Sequence, residues 1–442
     1  MPLCFRLAIL LGWMLQSTYV SIALGSQSPN FVLIISDDQA WTDYGFMGHP
    51  HVDTPNLDKL AAESLTYTRG YVASPLCRPS LASILTGLPS HIHGTTGNDP
   101  ATGDTTIRNM KSRAYPRHDS LHEVLYDRLR KLPNVVRTLQ ESGYATLQTG
   151  KWWEADPRNF GFSRAMTHGD HARGARHGDD GLTISRQGIE PIREFLDDVA
   201  GVDRAEAKPF FIWHAPFLPH TPHNPPDELL AKYRKVAPTE PVASYWAMCE
   251  WFDQTCGELL IEIDHRGLRE TTVVIYITDN GWIQHPTTAN KFAPRSKATP
   301  YEGGIRTPIM LRWPGHIAAR LDTETLVSAI DIAPTILGIS GLTVPKSMPG
   351  IDLRDALALK QRRAVFGSDH PHNIPDVHAP ADGVESRYVI EGPWKLIAHG
   401  GPAGKVELYH LEADPYEKVD LSEARPTVVS ELMVKIQRWW SR

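Results

Sequence analysis

The chain lacks several features that would each point to a particular class of protein. It has no excess of basic residues, since its formal net charge is −6 at pH 7, and this argues against a nucleic-acid partner, which needs a basic surface. It has no internal repeats and no low-complexity runs. It does have 442 residues with 41% hydrophobic content, enough to bury a large core and to form two domains.

The amino-terminal residues contain no apolar run long enough to cross a membrane. Leu7–Leu15 is apolar, follows the basic Arg6 and ends at Gln16, short of the roughly 20 residues that a transmembrane helix needs. Ala23–Gly25 then provides a small-x-small pattern typical of signal cleavage. We therefore predict a signal peptide over residues 1–25, export to the periplasm or the medium, and no stable membrane anchor. An uncleaved anchor is the weaker alternative.

Cysteine is also scarce, with four residues in the chain, of which Cys4 would be removed with the signal. Cys249 and Cys256 lie on a predicted amphipathic helix, where residues seven apart are about 10 Å apart along the axis, whereas a disulfide tolerates about 7 Å between Cα atoms. Both are therefore predicted to be free, buried thiols. Cys77 differs because it stands between two prolines in "SPLCRPSLASILTG", although a buried thiol is the alternative there too.

Apolar strands and helical stretches alternate along most of the chain. "NFVLIISDDQ" and "RETTVVIYITDNGW" are apolar runs that end in polar residues, and "KPFFIWHAPFLPHTPHNPP" is an apolar run that leads into a Pro- and His-rich loop. Helical patterns lie between them. This alternation predicts a parallel α/β sheet. After about Ser340, short strands with turns predict a small antiparallel C-terminal α+β domain. We place the catalytic domain at residues 26–383 and the C-terminal domain at residues 384–442.

Polar residues follow two of the predicted strands. Asp37 and Asp38 come directly after the first strand, and Asp279 and Asn280 come after "VVIYIT". Because chemistry in open α/β sheets gathers at the carboxyl ends of strands, we expect these side chains to meet. Carboxylates with an amide oxygen and no thiolate cluster favour Ca²⁺ or Mg²⁺ over zinc. For either pair taken alone, a helix cap or a turn is the alternative.

An ordered set of segments resembles the motifs of the type I, formylglycine-dependent sulfatases, a family of the alkaline phosphatase superfamily. The segments are "LIISDDQAWTDYG", "PLCRPSLASILTG", "TGKWW", "LPHTPH", "YITDNG" and "KATPYEGGIRTPIMLRWPG". The later "ELYHLEADPYEKVDL" resembles the family's closing strands, so the resemblance runs from Asn30 to about Leu421. It implies an alkaline phosphatase-like fold with a large mixed, mostly parallel sheet flanked by helices.

The resemblance implies a role for the isolated thiol. A separate formylglycine-generating enzyme would oxidise Cys77 to formylglycine, which would also contribute a ligand to the metal. One hydroxyl of the hydrated aldehyde would attack sulfur, and the second would later expel sulfate. Difficult direct hydrolysis of the ester is thereby avoided.

The resemblance also assigns the two strand-end pairs. Asp37, Asp38, Asp279 and Asn280 correspond to the family's calcium ligands. Asp279 would in addition take the proton of the attacking hydroxyl. The implied cofactor is therefore Ca²⁺, with Mg²⁺ as the alternative ion.

Three further residues correspond to groups that bind the sulfate ester. Lys151 and Lys297 resemble the lysines that hold the sulfate oxygens, where fixed cations stabilise charge spread over the transferring group. His220 matches the histidine near the leaving oxygen and would act as general acid, because imidazole titrates near neutral pH. Without the resemblance, solvated lysines and a capped loop histidine would be the better interpretation.

Two positions depart from the family's pattern. Leu81 stands where the signature has arginine four residues after the cysteine, which removes a cation beside the nucleophile unless Arg78 or another basic side chain replaces it. Trp153 stands where the family often has histidine, and an indole donates one hydrogen bond but carries no proton. Both departures put recognition by the modifying enzyme or the catalytic rate in doubt.

Other histidines and tryptophans near the motifs are secondary candidates. We expect His93 and Trp153 to contact the substrate, with a polar turn and core packing as the respective alternatives. For the remaining residues a structural role is at least as well supported; they are His91, His214, His223, Trp152 and Trp282.

These observations predict an exported, calcium-dependent sulfuric ester hydrolase that acts on a sulfated carbohydrate. A phosphoester or phosphonate hydrolase on the same scaffold is the alternative within enzymes, since related sites use the same nucleophile and metal on phosphorus. A catalytically silent sulfoglycan-binding protein is the alternative from another class. The changes at Leu81 and Trp153 would allow it, whereas Cys77 and the two metal pairs oppose it.

Overall fold

A computed structural model describes residues 28–101, 116–170, 173–200, 207–400 and 404–441. The predicted signal peptide at residues 1–25 lies outside these ranges. Within them, no helix combines the length and the apolar character that a membrane span requires.

The described residues form fifteen strands and twelve α-helices. The strands are β1 Asn30–Ser36, β2 Leu65–Tyr71, β3 Asp99–Pro100, β4 Ala145–Gly150, β5 Arg164–Ala165, β6 Phe210–Ala215, β7 Thr272–Thr278, β8 Arg306–Arg312, β9 Arg320–Asp322, β10 Val327–Ser328, β11 Ala364–Asp369, β12 Asn373–Ile374, β13 Ser386–Glu391, β14 Trp394–His399 and β15 Val406–His410. The helices are α1 Pro55–Ala62, α2 Cys77–Thr86, α3 Ser90–His93, α4 Pro116–Arg130, α5 Val135–Glu141, α6 Glu190–Ala200, α7 Asp227–Tyr233, α8 Glu240–His265, α9 Glu302–Ile305, α10 Ile332–Ile339, α11 Ala356–Gln361 and α12 Pro426–Trp440.

The central sheet has nine strands in the order β10-β2-β8-β7-β1-β6-β4-β5, with β9 paired to β2. Only β8 runs antiparallel to its neighbours β2 and β7, and the other described pairs of this sheet are parallel. The expectation of a large mixed, mostly parallel sheet is confirmed.

Strand β1 shows why its sequence is an uninterrupted apolar run. Phe31 and Leu33 belong to a core cluster shared with α2, α5 and α10, whereas Val32 and Ile34 belong to a second cluster shared with α1, α6 and α8. All seven residues of the strand are buried. A parallel strand covered by helices on both faces needs apolar side chains at every position, because neither face meets water.

Helix α8 confirms the expectation for two of the cysteines. Cys256 packs in the core beneath the sheet, and Cys249 packs beside Tyr245 and Trp282. In the part of the chain that the structure describes, both are buried free thiols, as is Cys77.

The C-terminal sheet is antiparallel, in the order β11-β13-β14-β15, and confirms the expected small α+β unit. One face packs on α12 through Leu396, Leu408 and Ile436, and the other packs on residues of the catalytic part. The expected boundary at residue 384 falls between β11 and β13. We therefore propose that this unit begins at Ala364.

Lys395 joins the two units. Its side chain is completely buried, and its Nζ lies 3.2 Å from Glu302 Oε1 in α9 and 2.8 Å from Glu417 Oε1 in the C-terminal unit. Two carboxylates from different units thus share one buried ammonium group. Removal of that group would leave Glu417 without its ion-pair partner and Glu302 with only the more distant Arg306, whose Nη1 lies 3.7 Å from Oε2.

Lys395→Met is expected to lower the free energy of unfolding by about 3–5 kcal/mol, because breaking a buried ion pair leaves charge uncompensated. Denaturant unfolding followed by circular dichroism measures this change. Lys405→Met is the control, because Lys405 pairs with Glu407 at an exposed position and its loss should shift the midpoint little. Equal effects of the two variants would contradict a coupling role for Lys395.

Candidate active site

The predicted site residues lie at the carboxyl edge of the central sheet. Asp37 and Asp38 follow β1, Asp279 and Asn280 follow β7, and Lys151 follows β4. Strand β1 lies between β7 and β6, and β4 lies on the other side of β6, so these strand ends are neighbours. The topology therefore brings together the polar residues that the sequence placed after separate strands.

Hydrogen bonds join the pair Asp37–Asp38 to the pair Asp279–Asn280. Asp279 N–H donates to the carbonyl oxygen of Ser36 at 2.9 Å, and Asp38 N–H donates to Asp279 Oδ1 at 3.1 Å. Asn280 Nδ2 donates to Asp38 Oδ1 at 2.7 Å. Asp38 has a left-handed backbone with φ of 67°, a region that aspartate tolerates better than most residues. This turn lets two consecutive carboxylates serve one cavity.

Two buried lysines contact these carboxylates. Lys151 Nζ lies 2.7 and 2.8 Å from the two oxygens of Asp37, and Lys297 Nζ lies 2.6 and 2.7 Å from the two oxygens of Asp38. Burial alone would lower the lysine pKa values, but the carboxylates raise both above the usual value. Burial likewise opposes ionisation of Asp38, yet Lys297 and His220 lower its pKa to about 2. Asp38 and both lysines are therefore charged at neutral pH, whereas burial raises the pKa values of Asp37 and Asp279 above the usual value.

Cys77 is the first residue of α2 and faces this cluster. One ligand atom each from Asp37, Asp38, Cys77 and His220 lie within 4.8 Å of one another. Burial raises the pKa of the Cys77 thiol to about 12, and the nearby lysines only partly oppose this shift. An unmodified thiol would thus stay protonated, and a protonated thiol is a weak nucleophile.

His220 lies in the loop after β6, on the same side of the sheet. Its Nδ1 is 2.7 Å from the carbonyl oxygen of Thr221, to which it donates, and its Nε2 is 3.4 Å from Asp38 Oδ2. The ring stacks on Phe217 with centroids 4.2 Å apart. Burial lowers the pKa of His220 well below the usual value, although Asp38 opposes this. Because Nδ1 is bonded to Thr221, Nε2 is the nitrogen that faces Asp38.

The donor set fits a hard divalent cation. Asp279 Oδ2 and Asn280 Oδ1 are buried and have no hydrogen-bond partner among the described residues. Buried oxygens without a partner are rare because they lose their hydration without compensation. With the carboxylates of Asp37 and Asp38 they offer oxygen ligands of the kind that Ca²⁺ or Mg²⁺ prefers, although Cys77 and His220 also place a ligand atom within 4.8 Å of those two carboxylates.

Arg78 does not take the place of the signature arginine that is replaced by Leu81 in this chain. Its guanidinium is buried and makes two hydrogen bonds of 2.7 Å to Glu154, and Nη1 donates to the carbonyl oxygen of Asn98. Leu81 packs in the hydrophobic core. The cations that act on Cys77 are Lys151 and Lys297. Arg78 instead ties the start of α2 to the segment after Lys151.

His93 and Trp153, the two further residues expected to contact the substrate, are both buried and contact other parts of the chain. His93 is fully buried, with Nε2 3.0 Å from Ser83 Oγ and Nδ1 accepting from Thr95 N–H at 3.1 Å. Trp153 is 7% exposed and packs against His177. Trp152 is in the core and donates to the carbonyl oxygen of Ala155.

The other histidines divide into distant and adjacent residues. His214 is buried between Thr149 and Ser185, and His91 packs on tryptophans of α12. His223 lies closer, because its ring packs on Trp282, and Lys297 Nζ is 5.7 Å from the Trp282 ring centroid. Trp282 and His223 thus border the site.

The sequence did not identify two residues that adjoin the site. Arg186 donates to the carbonyl oxygen of Phe217 at 3.1 Å and to that of His220 at 3.5 Å, which holds the histidine loop. His177 packs on Phe217 with ring centroids 5.3 Å apart. Both come from the segment between β5 and α6, which carries no motif and whose proximity depends on tertiary folding.

The family models match most of the chain. The model described as Sulfatase matches residues 29–342, and that described as N-sulphoglucosamine sulphohydrolase, C-terminal, matches residues 295–439. Since the first match alone covers more than half of the chain, the protein belongs to the sulfatase family. The resemblance inferred from the ordered motifs is confirmed.

Two curated relatives are similar over most of this chain. N-acetylgalactosamine-6-sulfatase from Mus musculus is 29% identical over 364 residues, which cover 74% of this chain and 66% of that protein, just under two thirds of its length. Arylsulfatase A from Homo sapiens is 27% identical over an alignment of 492 positions, gaps included, which covers 94% of this chain and 89% of that protein.

Solved structures support the same fold. Ps i-CgsB in complex with k-i-k-neocarrahexaose matches with a TM-score of 0.71 at 22% identity, covering 94% of this chain and 93% of that chain. Phosphonate monoester hydrolase of Agrobacterium radiobacter matches with a TM-score of 0.68 at 18% identity, covering 93% and 96%. At these identities the matches establish the alkaline phosphatase-like fold alone.

The cation site can be tested by thermal unfolding. Ca²⁺ added to chelator-treated protein should raise the melting temperature, because an ion that binds only the folded state stabilises it, by about 2.7 kcal/mol at a hundredfold excess over Kd. Asp279→Ala should abolish the rise. Asp180→Ala, which removes an exposed carboxylate of another acidic group, should keep it. Stoichiometric zinc in the purified protein, or a melting temperature indifferent to Ca²⁺, would contradict the assignment.

Proposed function

We propose that the protein is a sulfuric ester hydrolase that removes sulfate from a sulfated carbohydrate. The observation that carries this proposal is the pair of buried lysines, Lys151 and Lys297, which flank Cys77 from two different loops above a carboxylate cluster. Two fixed cations beside one nucleophile position suit a tetrahedral anion. Membership of the sulfatase family supports sulfate as that anion.

In the proposed reaction, the lysines turn from the carboxylates to the sulfate oxygens when the substrate binds. Bound at Asp37, Asp38, Asp279 and Asn280, a calcium ion would neutralise those carboxylates and polarise the sulfate group. Lys151 and Lys297 then stabilise the charge that develops over the transferring group. Formylglycine at position 77 would supply a hydroxyl nucleophile where the thiol is held protonated.

Proton transfer is assigned to two residues. Asp279 Oδ2 is buried and lacks a hydrogen-bond partner in the described chain, so it is placed to accept the proton of the nucleophile. His220 is oriented by its Nδ1 hydrogen bond to Thr221, so that Nε2 would deliver a proton to the leaving oxygen from the imidazolium form, which a bound sulfate anion favours. One residue therefore activates the attacking group and the other stabilises the departing group.

The substrate class is proposed from the relatives and from the surroundings of the site. The mouse relative is named for the 6-sulfate of N-acetylgalactosamine. His223, which is partly exposed and packs on the buried Trp282 at the border of the cluster, offers a ring suited to contact with a sugar. We therefore propose a sulfated sugar, and the fold match to a phosphonate monoester hydrolase makes a phosphorus ester the alternative.

A substrate panel separates these functions. The calcium-loaded protein is assayed against N-acetylgalactosamine 6-sulfate, other sulfated sugars, 4-nitrophenyl sulfate, a phosphate diester and a phosphonate monoester. The proposal expects the highest kcat/KM on a sulfated sugar. Faster turnover of a phosphorus ester would support the phosphonate alternative. Tight binding of sulfated sugars without turnover would support the silent binding protein.

Lys297→Ala and His220→Ala are expected to lose about a hundredfold or more in kcat, because each removes an electrostatic contact to the transition state. The loss in His220→Ala should shrink on aryl sulfates, whose leaving oxygen needs little protonation. Lys346→Ala, at an exposed lysine, is the matched control and should retain activity. Unchanged rates for Lys297→Ala on sulfate esters would contradict its role.

The state of Cys77 is expected to set the specific activity. Peptide mass spectrometry should find the aldehyde, and activity should rise in proportion to the modified fraction. We expect incomplete modification in a foreign host, because Leu81 stands where the signature has arginine. Cys77→Ala should fold and be inactive. Full turnover by protein that carries only the free thiol would rule out the formylglycine nucleophile.

A further inference from the structure

His177 is remote from the site in sequence but is held against it in space. Trp152 N–H donates to the carbonyl oxygen of His177 at 3.1 Å, which fixes the loop next to Lys151. Glycines make this approach possible, since a Cβ added at Gly178 or Gly181 would lie 2.8 or 2.6 Å from the carbonyl oxygen of Gly150. The loop that contains His177 therefore packs closely against the end of β4, the strand that Lys151 follows.

The His177 imidazole packs between two aromatic rings. Its centroid lies 5.2 Å from that of Trp153 and 5.3 Å from that of Phe217. Phe217 in turn stacks on His220, and Lys151 Nζ lies 5.5 Å from the Phe217 centroid. His177 thus belongs to one row of rings that includes the proposed proton donor, and its orientation is set by packing.

The His177 imidazole is neutral, and one of its nitrogens has no hydrogen-bond partner among the described residues. Burial, followed by the charges of Lys151 and Arg176, lowers the pKa of His177 to about 3, and Lys297 adds to this effect. Nδ1 is buried and finds no hydrogen-bond partner within the described ranges, although the residue as a whole is partly exposed. Nε2 is therefore the nitrogen left for a ligand.

We propose that His177 is a substrate-contacting residue, whose Nε2 hydrogen bonds a hydroxyl or acetamido group on the sugar half of the ester. This inference rests on the proposed function. A neutral imidazole provides a directional hydrogen bond without adding charge, so it suits the uncharged sugar, whereas Lys151 and Lys297 suit the sulfate. Trp153, which replaces a histidine of the family's pattern, serves here as the surface on which His177 packs.

Two variants separate hydrogen bonding from packing. His177→Phe keeps the ring contacts but cannot hydrogen bond, and His177→Gln keeps a donor and an acceptor. His177→Phe should lower kcat/KM about tenfold on the preferred sulfated sugar, mainly through KM, and change it less than about twofold on 4-nitrophenyl sulfate. His177→Gln should recover part of the loss. The control is His316→Phe, because His316 stacks on Trp313 at an exposed position.

Binding measured without turnover keeps this inference separate from the proposed function. In the Cys77→Ala background, calorimetry should give an approximately tenfold weaker Kd for the sulfated sugar with His177→Phe and little change for 4-nitrophenyl sulfate. That result would support His177 even if the wild-type protein hydrolysed neither compound. Equal losses on both compounds would assign His177 a structural role, and no loss, or no preference of the Cys77→Ala protein for any sulfated sugar, would overturn the proposal.

Discussion

Charge compensation at the carboxyl edge of the central sheet is the constraint on which the site depends. Asp37, Asp38 and Asp279 are each almost completely buried, and isolated carboxylates would not remain ionised there. Lys151 and Lys297 supply two positive charges from separate loops. The two loops that carry these lysines must therefore reach the carboxyl ends of the strands. This electrostatic requirement constrains the path of the chain at that edge of the sheet.

Buried ion pairs away from the cluster hold these loops in place. The Arg78–Glu154 pair connects the first turn of α2, which carries Cys77, with the segment that follows Lys151. Lys395 similarly joins the C-terminal sheet to α9 through Glu302. Breaking such a pair is costly because it leaves a charge uncompensated, so each pair fixes the relative position of two segments. Cys77 and Lys151, the proposed nucleophile position and the proposed sulfate-binding lysine, are thereby fixed relative to each other.

Part of this arrangement could be predicted from the sequence because it depends on local patterns. Continuous apolar runs followed by Asp37 and Asp38, or by Asp279 and Asn280, indicate buried parallel strands with polar ends, and parallel strand ends share one sheet edge. The order of the motifs then indicated the family. Each motif occupies a short stretch of sequence, and their order can be followed from Asn30 to about Leu421 without a structure.

Other features could not be predicted because they depend on tertiary contacts. The position of His177 results from close backbone approach at Gly178 and Gly181, and no motif marks it. The pairing of Arg78 with Glu154 joins residues 76 positions apart, so Arg78 could be considered as a replacement cation until its partner was known. The C-terminal sheet begins at β11 because pairing with β13, across an irregular connection, defines its first strand.

The most direct test is a crystal structure of the Cys77→Ala protein with Ca²⁺ and its preferred sulfated sugar. We predict sulfate oxygens in hydrogen-bond contact with Nζ of both Lys151 and Lys297, and the cation on oxygens of Asp37, Asp38, Asp279 and Asn280. A sulfate group bound elsewhere, with both lysines still paired to the aspartates and no cation between them, would contradict the account.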